Sequence, residues 1–436
     1  MKYLFIFFFI YLSLAKATDI QEVVQETIQT NPQIKMKYAD LKSEEELLTA
    51  SKSGYLPKVD VSFSFGPETT KTIGNSREKV NVIRQDASLN LTQNLFAGFE
   101  TQQGVNQQKA LVLSAEHGVE ETATSIALEV VTAYVDILRN KELLAIAQNN
   151  VDVHKKFLDQ IKEKVDAGVG RLSDYQQTLS RYENAQSVYF LNDQNYKNSI
   201  ASFQRIMPME VDAEHFTKPS IGELPAASLE DLTTMAIEYN PTIKLSQANI
   251  KYAEASVKRS NAAYYPKVDL TAQTYWNKNL NGYSKDTQGL VPAKADVEEN
   301  GYNALVIINY NLFNGLADKS NIGANRQKLL KEQNALSDTK RYIVAYTKIA
   351  WQTFELTKEQ LVHIEKNIEA SAETLSNYKE EHDLGRRSVI DLLNMELEYN
   401  AAKNRKVTAE YDNLLSYYQI LTHSGKILEA MNVTVK

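Results

Sequence analysis

The side chains best suited to metal or proton chemistry are six histidines: His117, His154, His215, His363, His382 and His423. A helical metal site needs ligands three or four positions apart on one face. No two of these histidines have that spacing, and no His-Glu-x-x-His run occurs. They read as isolated, solvated or interface histidines. Cysteine is absent, which removes disulfide frameworks, thiolate nucleophiles and thiolate zinc sites. Gly168-Val169-Gly170 opens like a phosphate loop, but it lacks the later glycine and follows a helical pattern, so it reads as a turn. No serine sits in a Gly-x-Ser-x-Gly elbow. The chain therefore presents no catalytic, cofactor or metal constellation, and a secreted helical enzyme is a poor reading. A formal charge of −7 with no basic cluster argues against nucleic acid as a partner. Two acids stand out instead. Asp174 and Asp391 each close a Gly-x5-Asp run, after Gly168 and Gly385. Glycine suits a chain reversal, and a helix N-terminus favours an acid through its dipole alone.

The elements that must position these turns come in two copies. Asn31-Pro32 answers Asn240-Pro241, and Pro57-Lys58-Val59-Asp60 answers Pro266-Lys267-Val268-Asp269, at one constant spacing. Asn94-Leu95-Phe96-Ala97-Gly98 answers Asn311-Leu312-Phe313-Asn314-Gly315 at a slightly longer spacing. That spacing then holds for Gly168/Gly385 and Asp174/Asp391. The extra residues of the second copy fall between its strand-like runs, in "NKNLNGYSKDTQGLVPAKADVEENG". Repetition on this scale marks a duplicated domain.

Each copy reads helix, two strands, long helix, turn, helix. The opening helix, Asp19 to Ser53 in the first copy, begins with a capping signal, Asp19-x-x-Glu22, matched by Ser228-x-x-Asp231. Val59, Val61, Phe63 and Phe65 alternate with Asp60, Ser62 and Ser64, and Leu89, Leu91 and Leu95 continue the pattern. The second copy offers Val268, Leu270, Trp276, Val306 and Ile308. One apolar and one polar face suits a half-buried sheet or a membrane barrel with lipid outside and water inside. Tyr55, Phe96, Phe99, Tyr264, Tyr265, Tyr275, Trp276 and Phe313 gather at the strand ends, where rings either mark a membrane interface or pack helix ends. The helix from about Phe99 to Asp166 contains no proline and would be roughly 100 Å long at helical rise. Ile137, Leu144, Val151, Leu158 and Val165 recur every seven residues, as do Phe354, Leu361, Ile368, Leu375 and His382, which calls for coiled-coil packing. The return helix, Leu172 to Met207, spans about half that length.

Residues 1–17 read as a signal peptide: Lys2, the apolar stretch Leu4 to Leu14, then Ala15-Lys16-Ala17. Residues 18–207 form the first repeat, 208–227 a linker, 228–422 the second repeat and 423–436 a tail. Four strands cannot close a membrane barrel, whereas three copies supply twelve and leave room for water. The expected fold is an α+β membrane protein. Its trimeric twelve-stranded β-barrel, four strands per chain, continues into a long α-helical coiled-coil barrel.

The ordered series of Asn-Pro, "YLPKVD"/"YYPKVD", "LTQNLFAG"/"YNLFNG" and Gly-x5-Asp in both copies resembles the TolC family of outer-membrane efflux and type I secretion channels. The likeness spans the whole mature chain. It implies a homotrimer in outer-membrane lipid that extends into the periplasm, with residues 208–227 and the tail in an equatorial domain. It also implies a periplasmic adaptor protein and an inner-membrane ABC or resistance–nodulation–division transporter as partners, and a tip closed at rest that opens by coiled-coil untwisting. By the same resemblance Asp391 forms a ring of three carboxylates at the constriction. Arg387 latches the tip through Ser173 and Asp174, and His382 takes the place of a gating tyrosine. Asn394 stands where the family's type member has a second acid, which leaves one charged ring. The adaptor would meet Ala167-Gly168-Val169 and Leu384-Gly385-Arg386. The other class of reading is a trimeric coiled-coil envelope protein with a small barrel anchor and no transport role.

Overall fold

The computed structural model describes residues 19–72, 78–207, 213–285 and 292–433. The expected signal peptide (1–17), the start of the expected linker (208–212) and the end of the tail (434–436) lie outside the described residues. In chain order the elements are α1 (Ile20–Thr30), α2 (Pro32–Ser51), β1 (Lys58–Thr72), β2 (Glu78–Ala97), α3 (Glu100–Asp166) and α4 (Leu172–Ile206). There follow α5 (Leu229–Tyr239), α6 (Pro241–Ser260), β3 (Lys267–Lys285), β4 (Pro292–Asn309), α7 (Ala317–Asp383), α8 (Val389–His423) and α9 (Ile427–Ala430). Helix lengths pair off: 11 residues in α1 and α5, 20 in α2 and α6, 67 in α3 and α7, 35 in α4 and α8.

Three local expectations are corrected. The opening helix is two helices, broken at Asn31, whose φ/ψ of −61/126 is extended because the following proline disfavours helical geometry. Asn31 Oδ1 accepts from the Gln33 N–H at 2.8 Å and so starts α2, while its Nδ2 donates to the Ile206 carbonyl at 3.5 Å. Asn240 repeats the device, accepting from Thr242 N–H at 3.0 Å and donating to the His423 carbonyl at 3.1 Å. Second, the Asp19 side chain makes no capping bond, whereas Ser228 accepts from the Asp231 N–H as its motif requires. Third, the extra residues of the second copy are largely strand, since β3 runs to Lys285 and β4 starts at Pro292.

The chain gathers into two compact units. One comprises Asp40–Ala115 and Ser246–Leu336. Its centre is an open antiparallel sheet in the order β1-β2-β3-β4, with β1 and β4 as edges. The register lines Val59, Val61 and Phe63 up with Leu91, Leu89 and Ala87, and continues through Ala272 and Trp276. Val268 and Leu270 stand opposite Ile308 and Val306. Directly paired residues share a face, so these apolar side chains form one continuous surface. It is bare: Val61 is 78% exposed, Phe63 70% and Tyr302 88%. The reverse face is polar over β1 to β3, with Leu305 and Ile307 of β4 as apolar members. Ser62 and Ser88 hydroxyls bond at 2.7 Å, Ser64 donates to Asp86 at 2.9 Å, and Asn94 donates to Asp269 at 2.7 Å. Each strand pair hands over to its long helix through two consecutive left-handed residues, Gly98-Phe99 and Gly315-Leu316. At Gly98 a Cβ would stand 2.6 Å from the Ala262 carbonyl oxygen, so the position admits only glycine. Phe96, Phe99 and Tyr265 meet edge to face there with centroids 5.3 to 6.4 Å apart.

The other unit gathers residues up to Ala39, Glu116–Leu245 and Ser337 onward. Its main core includes Val23, Val130, Ile137, Leu232, Leu414 and Ile420. Tyr134 is wholly buried; its hydroxyl donates to the Thr217 carbonyl at 2.8 Å and accepts from the Thr217 N–H at 2.9 Å, and its ring stacks on Phe216 at 4.2 Å. The described part of the expected linker is thus tied into the core. The heptad positions face inward: Ile137, Val151, Leu158, Phe354 and Leu375 are buried, and the rest of both series is half-buried.

Candidate functional site

Two turns, α3 to α4 and α7 to α8, carry every residue expected at the gate. Each long helix ends on a left-handed glycine, Gly168 at φ +76° and Gly385 at φ +73°. The wrap-back bonds match: Gly168 N–H to Val165 O at 2.9 Å and Val169 N–H to Lys164 O at 3.0 Å, against Gly385 N–H to His382 O and Arg386 N–H to Glu381 O, both 2.8 Å. These satisfy carbonyls that a helix end leaves free. Nothing stands within 4 Å of where a Cβ would lie on either glycine, so backbone conformation, not space, selects glycine. Ala167, Gly168, Val169, Leu384, Gly385 and Arg386 are all exposed, and Val169 and Leu384 present apolar side chains at the tips.

The returning helices start differently. Ser388 caps α8, accepting from the Asp391 N–H at 3.1 Å and donating to the Asp391 carboxylate at 2.7 Å. This reciprocal box is the one that starts α5, and it accounts locally for an acid at Asp391. In α4 the corresponding N-cap is Arg171, which makes no side-chain cap, and Ser173 donates to Asp174 at 3.4 Å. Arg387 turns within its own chain toward Glu381, with Nε to Oε2 at 2.8 Å and Nη2 at 2.7 Å, and lies 4.0 Å from the Tyr378 ring centroid. Pairing with Glu381 holds its guanidinium above the ordinary arginine pKa. His382 bridges the turn, Nδ1 to the Arg387 carbonyl at 2.9 Å. Asn394 accepts from Arg181 Nη2 of α4 at 2.8 Å, a link between the two helical hairpins.

The structure therefore brings Arg387, His382 and Asp391 together around one turn, and Ser173 and Asp174 around the other. Sequence reasoning missed Glu381, Arg181 and the role of Ser388. The last was legible as Ser-x-x-Asp, the same signal read at Ser228. His154, read only as one of the isolated, solvated or interface histidines, is buried. Among the described residues no group of histidines and acids is placed to hold a metal, and no helix is long and apolar enough to cross a membrane.

The model of the outer membrane efflux protein family matches residues 23–207 and 232–426. The outer membrane protein TolC of Escherichia coli (strain K12) is 19% identical over 432 residues, covering 96% of this chain and 84% of that one. The proteases secretion protein PrtF of Dickeya chrysanthemi is 17% identical over 428 residues, covering 95% and 90%. In fold, the chain is similar to the crystal structure of the Campylobacter jejuni CmeC outer membrane channel, with a TM-score of 0.80 at 16% identity over 94% of this chain and 86% of that one.

Proposed function

Because the chain belongs to the outer membrane efflux protein family, we propose that three copies close a twelve-stranded barrel that serves as the exit duct of a tripartite export system. The protein resides in the outer membrane and extends into the periplasm. One observation carries the reading: the four-stranded sheet has a bare apolar face, a polar reverse and two open edges. In lipid every backbone N–H and C=O needs a partner, so β1 and β4 must be met by strands of other copies. An apolar outside and polar inside is the arrangement of a water-filled barrel, which eight strands would fill and twelve leave open. The matched helix lengths support two-copy construction, with six near-equal parts in a trimer. Tyr342, Ile349 and Leu356 support helix packing between copies, being exposed on α7 at heptad spacing.

The duct is passive and opens at the α3–α4 and α7–α8 turns by untwisting of the coiled coils. Asp391 supplies one carboxylate per chain to a ring at the constriction, and Asn394 adds no second charge. Arg387 is the latch, with Glu381 holding it inside the chain and Ser173 and Asp174 its expected counterparts on a neighbouring coiled coil. The exposed tips at Val169 and Leu384 suit a periplasmic adaptor, and an ABC or resistance–nodulation–division transporter supplies energy from the inner membrane. The likenesses to TolC and PrtF favour export over a purely structural stalk, and they are compatible with efflux, type I secretion or both. The test is conductance of the purified protein in planar bilayers. Arg387→Ser with Asp174→Ala should raise single-channel conductance. An unchanged conductance sinks the latch, and no conductance in any variant sinks the duct.

A further inference from the structure

We propose that the contact between α8 and the α3–α4 hairpin contains a proton-operated release centred on His154, separate from the latch at the turn. Its effect on conduction rests on the duct reading above. Its effect on the helices does not.

Among the described residues, every buried side-chain nitrogen or oxygen without a hydrogen bond belongs to three residues: His154 (both ring nitrogens), Glu396 (Oε2) and Asn400 (Oδ1). They share one layer. Asn400 Nδ2 donates to Asn150 Oδ1 at 3.1 Å, which pins α8 against α3 at that level. The two helices run antiparallel. One turn onward from Asn150 along α3 is His154, and one turn back from Asn400 along α8 is Glu396, so both stand at the next level. Below them Phe157, Ile161, Leu392 and Leu393 seal the layer with an apolar cluster. His154 is 1% exposed and Glu396 3%.

Buried polar groups are nearly always bonded, because desolvation without a partner is costly. A layer where His154 and Asn400 keep unbonded buried atoms, and Glu396 Oε2 meets Lys379 only at ion-pair distance, is one that separates readily. Neither ring nitrogen has a hydrogen-bond acceptor, and the charge that acts on the imidazole is the Arg181 cation. α4 brings the Arg181 cation to bear on the imidazole, and Tyr378 of α7 packs against the apolar cluster below it. α8 presents Tyr399 and Glu396, whose Oε2 lies 3.9 Å from Lys379 Nζ and is engaged there. Burial first, and the Arg181 cation second, hold His154 below its ordinary pKa of 6.5. The closed layer therefore accepts a proton less readily than the separated one, where water solvates the ring. The contact is intact while the ring is neutral. It weakens as pH falls through the ordinary histidine range, and the loss levels off once the closed form also protonates. The matching heptad position of the second copy holds Ser371, buried at 4%, a hydroxyl that does not titrate.

The test uses the full chain in lipid, with His154→Ser and, as a bulkier neutral replacement, His154→Leu. Hydrogen exchange over residues 389–403, corrected for intrinsic rates, should accelerate severalfold between pH 7.5 and pH 5.5 in the unmodified protein. It should not change with pH in either variant. Conductance should rise over the same interval only where His154 is present. Flat exchange in the unmodified protein overturns the proposal, and so does the same acceleration in both variants. Acceleration that depends on His154 without conductance at any pH upholds the release and overturns the duct reading.

Discussion

Phe63 and Ser62 are neighbours on β1 that point to opposite faces of the sheet, and a lysine at each position should have opposite consequences. Phe63 sits centrally in the apolar run and is 70% exposed in the single chain, so in the membrane its ring meets lipid. A lysine facing lipid near mid-depth costs about 2–4 kcal/mol. Loss of the phenylalanine's apolar surface adds about 2 kcal/mol. Phe63→Lys should therefore destabilise the inserted state by on the order of 5 kcal/mol per chain. Ser62→Lys removes the 2.7 Å bond to Ser88 and places its ammonium near Asp86 on the polar side. That loss is about 0.5–1 kcal/mol. The gap, about 4 kcal/mol, is a factor of roughly a thousand in the insertion equilibrium. Folding from urea into lipid vesicles, read as the urea midpoint and as the yield of assembled oligomer, measures it directly. If Ser62→Lys impairs insertion as much as Phe63→Lys, the faces have been assigned the wrong way round and the barrel argument fails.

Asn240→Ala removes a cap and the bond to the half-buried His423 carbonyl, and should loosen the start of α6 by about 1–2 kcal/mol. Asn31→Ala should cost less, because its carbonyl contact is already 3.5 Å long. Asn240→Asp keeps the acceptor but loses the donor, so local hydrogen exchange as slow as in the unmodified chain would refute the role given to Nδ2. Gly385→Ala should cost about 1–2 kcal/mol through its φ of +73° alone, with exchange in α7's last turn as the readout. Ser388→Ala should fray the first turn of α8 by about 1 kcal/mol while leaving ion selectivity unchanged. Asp391→Asn should instead reduce cation preference in a salt-gradient reversal-potential measurement, and equal effects from the two would reduce Asp391 to a cap.

What was legible in the sequence was whatever repeats locally. Heptads placed Val151 and Leu158 correctly indoors, alternation placed Val61 and Phe63 on one face, and glycine placed both turns. The helix break at Asn31 was visible in the proline beside it but was outweighed by unbroken helical composition on either side. Arg181 meeting Asn394 and Asn150 meeting Asn400 were not legible, because each pairs residues more than two hundred positions apart whose register depends on two turns and two helix lengths. Nor was the burial of His154, since a polar residue inside a coiled coil resembles a surface one until its neighbours are known.

The equal lengths of the paired helices carry a consequence for how such a chain tolerates change. Adding one residue to a helix rotates everything beyond it by about 100° and would turn the whole inward stripe sideways. Seven residues restore the phase to within about 20°. The hairpins have no such rule: β1 has 15 residues and β3 has 19, and adding residues at a hairpin's far end shifts no pairing below it. Length variation in this chain is therefore a matter of phase in the helices and of mere reach in the strands, which makes the far ends of the two hairpins the places to graft a foreign peptide.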